Sequence, residues 1–497
     1  MSDGARPIRD SALERFPQPP EVERRRALEY AVGGLEERFP GMTANGRLAR
    51  WQRRALLGVV AVVATGAVIS LAATVAVVVT VLVLFYATAL VVRAAVFAHG
   101  MRAAEVGRGE PPEPLDDAWL PRYTILMPAF DEPEVIASLV SATTSIDYPA
   151  DRLELLLLLE EDDEATLRVL LDEELPEQVR VLLVPTSEPR TKPKACNYGL
   201  YFADSELVTI YDAEDRPDPS QLRDAAAAFA AAPANLVCLQ ARLDYYNAYQ
   251  NLLTRWFTIE YATWFGMFLP GLNALSLPIP LGGTSNHIRT RVLRQLGAWD
   301  AFNVTEDADL GLRFARAGLT TGVLASVTAE EANGEAVNWV RQRSRWYKGY
   351  LQTWLVHFRD VHAARRELGM RGSISTTFLV GATPLMAAIN LLAWIGTAVF
   401  VIGVPAGWYA VFPVPTMYLG LFITLVGNAG TVYLSVLAMV HIKESRFAWA
   451  SLTYPFYWLL MAVAATKAIY QLVRRPSYWE KTLHGLGDPG GYREGGG

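Results

Sequence analysis

The chain has 497 residues, of which 52% are hydrophobic, a formal net charge of -6 and 2 cysteines. The apolar share exceeds the roughly 45 to 50% of an ordinary soluble domain, and an acidic chain without a basic, aromatic-interleaved block argues against nucleic acid as a partner. Cys196 and Cys238 supply neither a disulfide framework nor a zinc cluster, and the 6 histidines are scattered.

In chain order, a polar segment, 1–54, precedes an apolar block, 55–97, whose first charge is Arg93. That order argues against a cleaved signal peptide. The block is about twice the length that one bilayer crossing needs, so it is expected to form two helices joined by a turn near Ser70 to Thr74. Arg47, Arg50, Arg53 and Arg54 lie before it and Arg93, Arg102 and Arg108 after it, which places both ends, and the mixed-charge region 100–350, in the cytosol. Residues 351–372 are expected to form interfacial helices. About three spans follow within 373–473, as 374–402, 417–440 and 448–473, before a tail, 474–497. Arg365, Arg366, Arg371, Lys443 and Arg446 suit that arrangement. Arg474, Arg475 and Lys481 do not, so either the last segment, with Pro455 and Lys467, is not a simple span or the charge rule fails there.

From Arg122 onward, short apolar runs alternate with helix-like stretches, the pattern of a parallel sheet covered by helices. "YTILMPAF" (123–130) reads as a strand followed by a helix over 131–145, and "LELLLLLEEDDEAT" (153–166) as a buried strand that stops at acids. "VRVLLVP" and "ELVTIYD" complete an expected four-strand core. "AAAAFAAAPA" (225–234) reads as helix surface. In open sheets of this kind ligands bind beyond the carboxyl ends of the strands. Three such ends carry acids: Asp131 and Glu132, Glu160 to Asp163, and Asp212 to Asp215.

Any one of these clusters is equally well a set of solvated loop charges. Together they are harder to dismiss, because "YDAED" puts Asp212 and Glu214 on alternate residues, a spacing that lets two carboxylates reach one Mg²⁺ or Mn²⁺ bridged to phosphates. "TKPKACNYGL" places Lys192 and Lys194 before a helix start, where ammonium groups and free N–H groups address phosphate. "NVTEDADLGLRFARAGL" (303–319) reads as a helix capped by Thr305, with Glu306 and Asp307 in its first turn. Those acids either complement the helix dipole or, at Asp307, accept the proton of an attacking hydroxyl. "WVRQRSRWYKGYLQTW" (339–354) sets Gln342, Arg345 and Trp346 on one helical face. An interfacial helix explains that composition as well as a sugar platform beside a diphosphate-binding arginine does. The stretches 255–268 and 353–358 are amphipathic and suit the wall of a path through the membrane.

The order of these features resembles the membrane-bound, inverting family 2 glycosyltransferases that build β-linked polysaccharides, such as cellulose, chitin and hyaluronan synthases. The resemblance rests on "PAFDEPE" (128–134), the acidic end of "LLLLLEEDD", "KPKACNYGL", "YDAED" for D-x-D, "TEDADLGLR" for T-E-D and "QRSRW" for Q-x-x-R-W, within about 120–350. It implies an α/β GT-A domain, a Rossmann-like nucleotide-diphospho-sugar transferase, in the cytosol, attached to an α-helical transmembrane region in the plasma membrane.

By the same resemblance Asp307 is the general base, and Phe130, Glu132, Lys194 and Asp212 contact the nucleotide sugar, with Glu160 or Glu161 at the base. Asp212 and Glu214 hold the metal, with Asp215 an alternative to Glu214, and Glu306, Gln342, Arg345 and Trp346 meet acceptor and diphosphate. "PLGGTSNHIR" (280–289) resembles a glycine-rich stretch near the acceptor, and the tail sequence 474–485 resembles a gating segment. The acceptor implied is a growing polysaccharide, with a lipid-linked acceptor as the alternative. A transporter with a regulatory nucleotide-binding domain is the reading from another class.

Overall fold

A computed structural model describes residues 8–46, 48–106, 113–133, 145–403 and 414–475. Most of the helix expected over 131–145, and the tail from 476 onward, lie outside the described residues.

The centre is a sheet of eight strands in the order β3-β2-β1-β4-β7-β6-β8-β5. β1 (Tyr123–Ala129), β2 (Leu153–Glu160), β3 (Val179–Val184) and β4 (Leu207–Ile210) are the strands expected from the apolar runs, and they pair in parallel. The leucine run of β2 shows why. Leu155, Leu157 and Leu159 pack into one face with Ile125, Met127 and Leu167, while Leu156 and Leu158 pack into the other with Leu126, Tyr198 and Ile210. Successive side chains on a strand point to opposite faces, so a strand buried on both sides has to be apolar throughout. Each of these leucines is 0% exposed, a burial that stabilises by about 2 kcal/mol per side chain.

The other half of the sheet was not expected: β5 (Arg216–Pro217), β6 (Leu236–Tyr245), β7 (Asn286–Arg289) and β8 (Thr320–Glu330). β7 runs antiparallel between β4 and β6, and β6 pairs in parallel with β8. β7 is four residues long and contains Asn286, His287 and Arg289; no apolar period marks it. Its histidine is satisfied by a residue distant in the chain, Tyr123 Oη lying 2.6 Å from His287 Nδ1. The alanine-rich segment also differs from its expected surface position, since the helix Gln221–Ala231 buries Ala225, Ala226, Ala227 and Phe229 against the sheet.

Two N-terminal helices, Ile8–Arg15 and Glu21–Arg38, lie on the domain. Asn197 Nδ2 donates to the Ala31 carbonyl at 3.0 Å and to that of Trp299 at 2.8 Å, tying the second of them to the helix Lys192–Phe202.

Among the described residues five helical stretches are long and apolar enough to cross a membrane: Arg50–Ile69, Leu71–Ala103, Val361–Val399, Tyr418–His441 and Ser445–Arg474. The long helix Leu71–Val106 continues past its apolar part onto the sheet domain. There Gly100 meets the Met267 carbonyl and Gly271 meets that of Val96, so close that a Cβ at either position would clash. A separate aromatic core (Tyr245, Phe257, Trp339, Tyr347, Tyr457 and Trp458) joins the sheet domain to the last apolar helix.

Candidate active site

The chain turns sharply at the end of β1, with Asp131 at a φ of 53°. The Asp131 N–H donates to Asp163 Oδ2 at 2.5 Å and the Glu132 N–H to Thr166 Oγ1 at 3.1 Å, which fixes Phe130 and Glu132 in the wall of a large cavity.

At the end of β2 the two consecutive glutamates part. Glu160 lines the cavity, and its carboxylate is 2.8 Å from Lys194 Nζ. Glu161 points the other way and pairs with Arg9 and Arg24, each at 3.0 Å, anchoring the N-terminal helices. The structure therefore separates the two residues left open by the sequence: Glu160 faces the cavity, and Glu161 does not.

The two lysines are also separated. Lys194 is 0% exposed and held by Glu160 and the Ser187 carbonyl, so the ammonium expected to meet phosphate is outside the cavity lining. Lys192 lines the cavity instead, pairs with Asp212 and donates to the Gly283 carbonyl at 2.7 Å. A helix advances about 100° per residue, so positions two apart lie on nearly opposite sides.

Beyond β4, Asp212 and Glu214 line the cavity. Asp215 is buried beneath the turn, where its carboxylate accepts the Asp212 N–H at 2.7 Å and the Thr284 hydroxyl. It braces the loop that presents the other two. Among the described residues no three His, Cys, Asp or Glu side chains form a ready-made metal cage. Asp212 and Glu214 still suit a Mg²⁺- or Mn²⁺-type ion, which is commonly bound by one or two carboxylates together with substrate phosphates and water.

Glu306 and Asp307 begin the helix Glu306–Arg316 and enter the same cavity. Thr305 occupies the cap position without a side-chain cap bond; its backbone N–H and hydroxyl turn to Asn303 Oδ1, and the hydroxyl also approaches Thr353. Burial pushes Asp307 up to about 6, against the lowering effect of the Ala308 N–H and Lys192. Burial and the adjacent Asp307 push Glu306 up to about 8. Gly283 is packed between these groups: a Cβ there would lie 3.5 Å from Asp307 Oδ2 and 3.8 Å from Lys192 Nζ.

The opposite wall is the helix Ala336–His357. Gln342, Arg345 and Trp346 all face the cavity from it. Gln342 accepts from Asn333 Nδ2 at 2.9 Å. Burial lowers the Arg345 guanidinium, while Glu306, Asp212, Asp307 and Glu214 pull it back up, so the cation looks onto the acids. Trp346 is propped by Phe257 at 5.8 Å and by the Arg343 guanidinium 4.8 Å from its ring centre. Arg343 in turn holds Glu260 through two bonds of 2.7 and 2.6 Å, and Tyr457 donates to the same carboxylate at 2.6 Å.

The sequence reasoning missed Arg343, Glu260 and Glu330, all of which line the cavity. Arg343 carried a signal, standing between Gln342 and Arg345 amid tryptophans. The amphipathic stretch 255–268 contributes Glu260, Tyr261, Trp264 and Phe265 to the cavity, whereas 353–358 does not reach it. That second stretch packs on the Asp307-bearing helix, with His357 Nε2 3.0 Å from Asp309 Oδ1. The cavity has a volume of about 770 Å³ and runs on between the apolar helices past Arg93, Asn390, Asn428 and Ser435.

Residues 121–349 match the sequence model described as "Glycosyltransferase like family 2". The chain carries a family 2 glycosyltransferase domain. Named relatives agree with that. A Bacillus subtilis protein called "Probable glycosyltransferase YdaM" is 26% identical over 46% of this chain and 55% of its own length. The "Beta-monoglucosyldiacylglycerol synthase" of Synechocystis is 24% identical over 73% of this chain and 75% of its own length. A rice protein named "Probable glucomannan 4-beta-mannosyltransferase 6" is 26% identical over 56% of this chain and 50% of its own length. The chain thus spans between half and three quarters of these relatives.

Two solved structures are also similar. The mannosyltransferase PcManGT from Pyrobaculum calidifontis, in complex with GDP-Man and Mn²⁺, is 20% identical with a TM-score of 0.42, over 69% of this chain and 99% of that one. TarS 1–349 of S. aureus with UDP-GlcNAc is 14% identical with a TM-score of 0.36, over 73% of this chain and 97% of that one. The family match and the mixed eight-stranded sheet describe a GT-A-type glycosyltransferase domain joined to long apolar helices.

Proposed function

We propose that the glycosyltransferase moves a sugar from a nucleotide sugar, most simply a UDP-sugar, onto a growing β-linked polysaccharide with inversion at the anomeric carbon. It works at the inner face of the plasma membrane and feeds the product toward the apolar helices. The supporting observation is one cavity that gathers Glu160, Lys192, Asp212, Glu214, Asp307, Arg345 and Trp346 and continues between those helices.

In this reading Phe130, Glu132 and Glu160 receive the nucleoside. Asp212 and Glu214 would hold a Mg²⁺ or Mn²⁺ ion, which when bound offsets charge on the diphosphate. Lys192 and Arg345 face the leaving group, and Trp346 offers the acceptor sugar a flat face. The acceptor hydroxyl attacks the anomeric carbon opposite the diphosphate. As the new C–O bond forms, the bond to the diphosphate oxygen breaks and the hydroxyl proton passes to Asp307. Raised by burial to about 6, that carboxylate is suited to accept a proton given up late in the transition state.

A second reading, transfer of one sugar to a lipid acceptor, is favoured by the opening of the cavity among apolar helices. Incubating the purified chain with labelled nucleotide sugars and Mg²⁺ or Mn²⁺, then sizing the products, tests both. Polymer supports the first reading and a single sugar per lipid the second. Nucleotide-sugar binding without turnover under every condition overturns both in favour of a regulated transporter.

A further inference from the structure

The membrane end of the cavity contains a cation that the reaction above does not use. Arg93 lies on Leu71–Val106 and lines the cavity. Its guanidinium donates to the Thr383 hydroxyl and sits 5.8 Å from the Phe268 ring, and its Nε is buried without a hydrogen-bond partner. Among the described residues no carboxylate pairs with it; the acid on this wall, Glu260, is committed to Arg343 and Tyr457.

A second donor is left over nearby. Asn428, on Val414–His441, is 8% exposed; its Oδ1 accepts from the Tyr86 hydroxyl at 3.4 Å, while its Nδ2 is buried without a partner. Tyr86 stands two helical turns from Arg93 on the same face, and both residues line the cavity with Asn428.

The two leftover groups are donors, and one belongs to a half-buried cation that no carboxylate pairs with among the described residues. Such an arrangement is costly unless a ligand brings negative oxygen. Depth narrows the ligand. From Leu71 to Arg93 the helix rises about 33 Å, close to the thickness of a bilayer's hydrocarbon core, so Arg93 lies at headgroup level beside the sheet domain.

We propose that this end of the cavity binds the phosphate of a membrane amphiphile, with Arg93 taking the phosphate oxygens and Asn428 a further oxygen of the same molecule. The inference rests on the cavity being the acceptor site, and it names the acceptor-side class as a lipid phosphate. The phosphate has two sources, a polyprenyl monophosphate serving as primer or acceptor and a bulk phospholipid seated as a fixed companion.

Binding to the full chain in detergent would be measured for polyprenyl monophosphate against polyprenol, and for phosphatidic acid against diacylglycerol. Wild type should hold at least one phosphate tenfold more tightly than its uncharged partner. Arg93→Gln should abolish that preference, Arg93→Lys restore part of it, and nucleotide-sugar binding stay unchanged. Labelled sugar appearing on polyprenyl monophosphate identifies it as acceptor; tighter binding of phosphatidic acid without transfer identifies a companion lipid. If the first variant fails to fold, Asn428→Leu should weaken the same preference at least threefold. Equal binding of charged and uncharged partners by wild type, or a preference untouched by these variants, overturns the inference. In that case continued turnover of nucleotide sugar leaves the transferase reading standing.

Discussion

Lys194 and Glu160 form an ion pair of 2.8 Å in which the side chains are 0% and 6% exposed. Burial raises the Glu160 carboxyl and Lys194 works against that rise, so each charge is stabilised chiefly by the other, with the Ser187 carbonyl also accepting from Lys194. Removing one partner from such a pair costs roughly 3 to 5 kcal/mol, because the other charge is left buried and uncompensated. Lys194→Met is therefore expected to lower unfolding stability by about 3 kcal/mol, and the double variant with Glu160→Gln to recover part of it. Denaturant titration of the three proteins checks this. Lys192→Met, by contrast, should change stability little and weaken donor binding.

The acidic turn after β4 divides its work. Glu214 faces the cavity, while Asp215 braces the loop from beneath through the Asp212 N–H and Thr284. Glu214→Gln should raise the Mn²⁺ concentration giving half-maximal transfer at least tenfold. Asp215→Asn should shift it less than threefold and lower the melting temperature instead. Metal titrations of transfer rate, with a melting curve for each protein, separate the two.

Arg343 is held by Glu260 through two bonds and packs on Trp346. Arg343→Lys keeps the charge but loses the two-pronged bond. It should raise the acceptor KM at least fivefold while the donor KM changes less than twofold. Steady-state kinetics with each substrate varied in turn provides the check, and a parallel rise in both constants would count against the Trp346 platform.

The pH profile follows from Asp307, raised by burial to about 6. A general base works only when deprotonated. Transfer should thus rise about tenfold per pH unit below 6, level off above it, and show no such limb in donor binding over the same range.

The sequence made half of the sheet legible because β1 to β4 are buried on both faces and must be apolar, and β2 with its five consecutive leucines is the clearest case. The antiparallel β7 was hidden because polar residues on it are satisfied by partners distant in the chain, as His287 is by Tyr123. At the site, residue types were readable and directions were not. Glu160 against Glu161 is a question of strand parity, and Lys192 against Lys194 one of helical phase. Both are decided by where the strand stops and the helix starts, to within one residue. Arg93 was read only as a topological charge, since nothing local reveals that its helix borders a cavity shared with Asn428.

The central claim is that Asp307 takes the acceptor proton in a glycosyl transfer. The direct measurement is single-turnover transfer by Asp307→Asn, alongside binding of the nucleotide sugar to the same protein. Donor affinity within threefold of wild type, with transfer slowed at least a thousandfold, is the predicted result. Transfer within tenfold of wild type would contradict it.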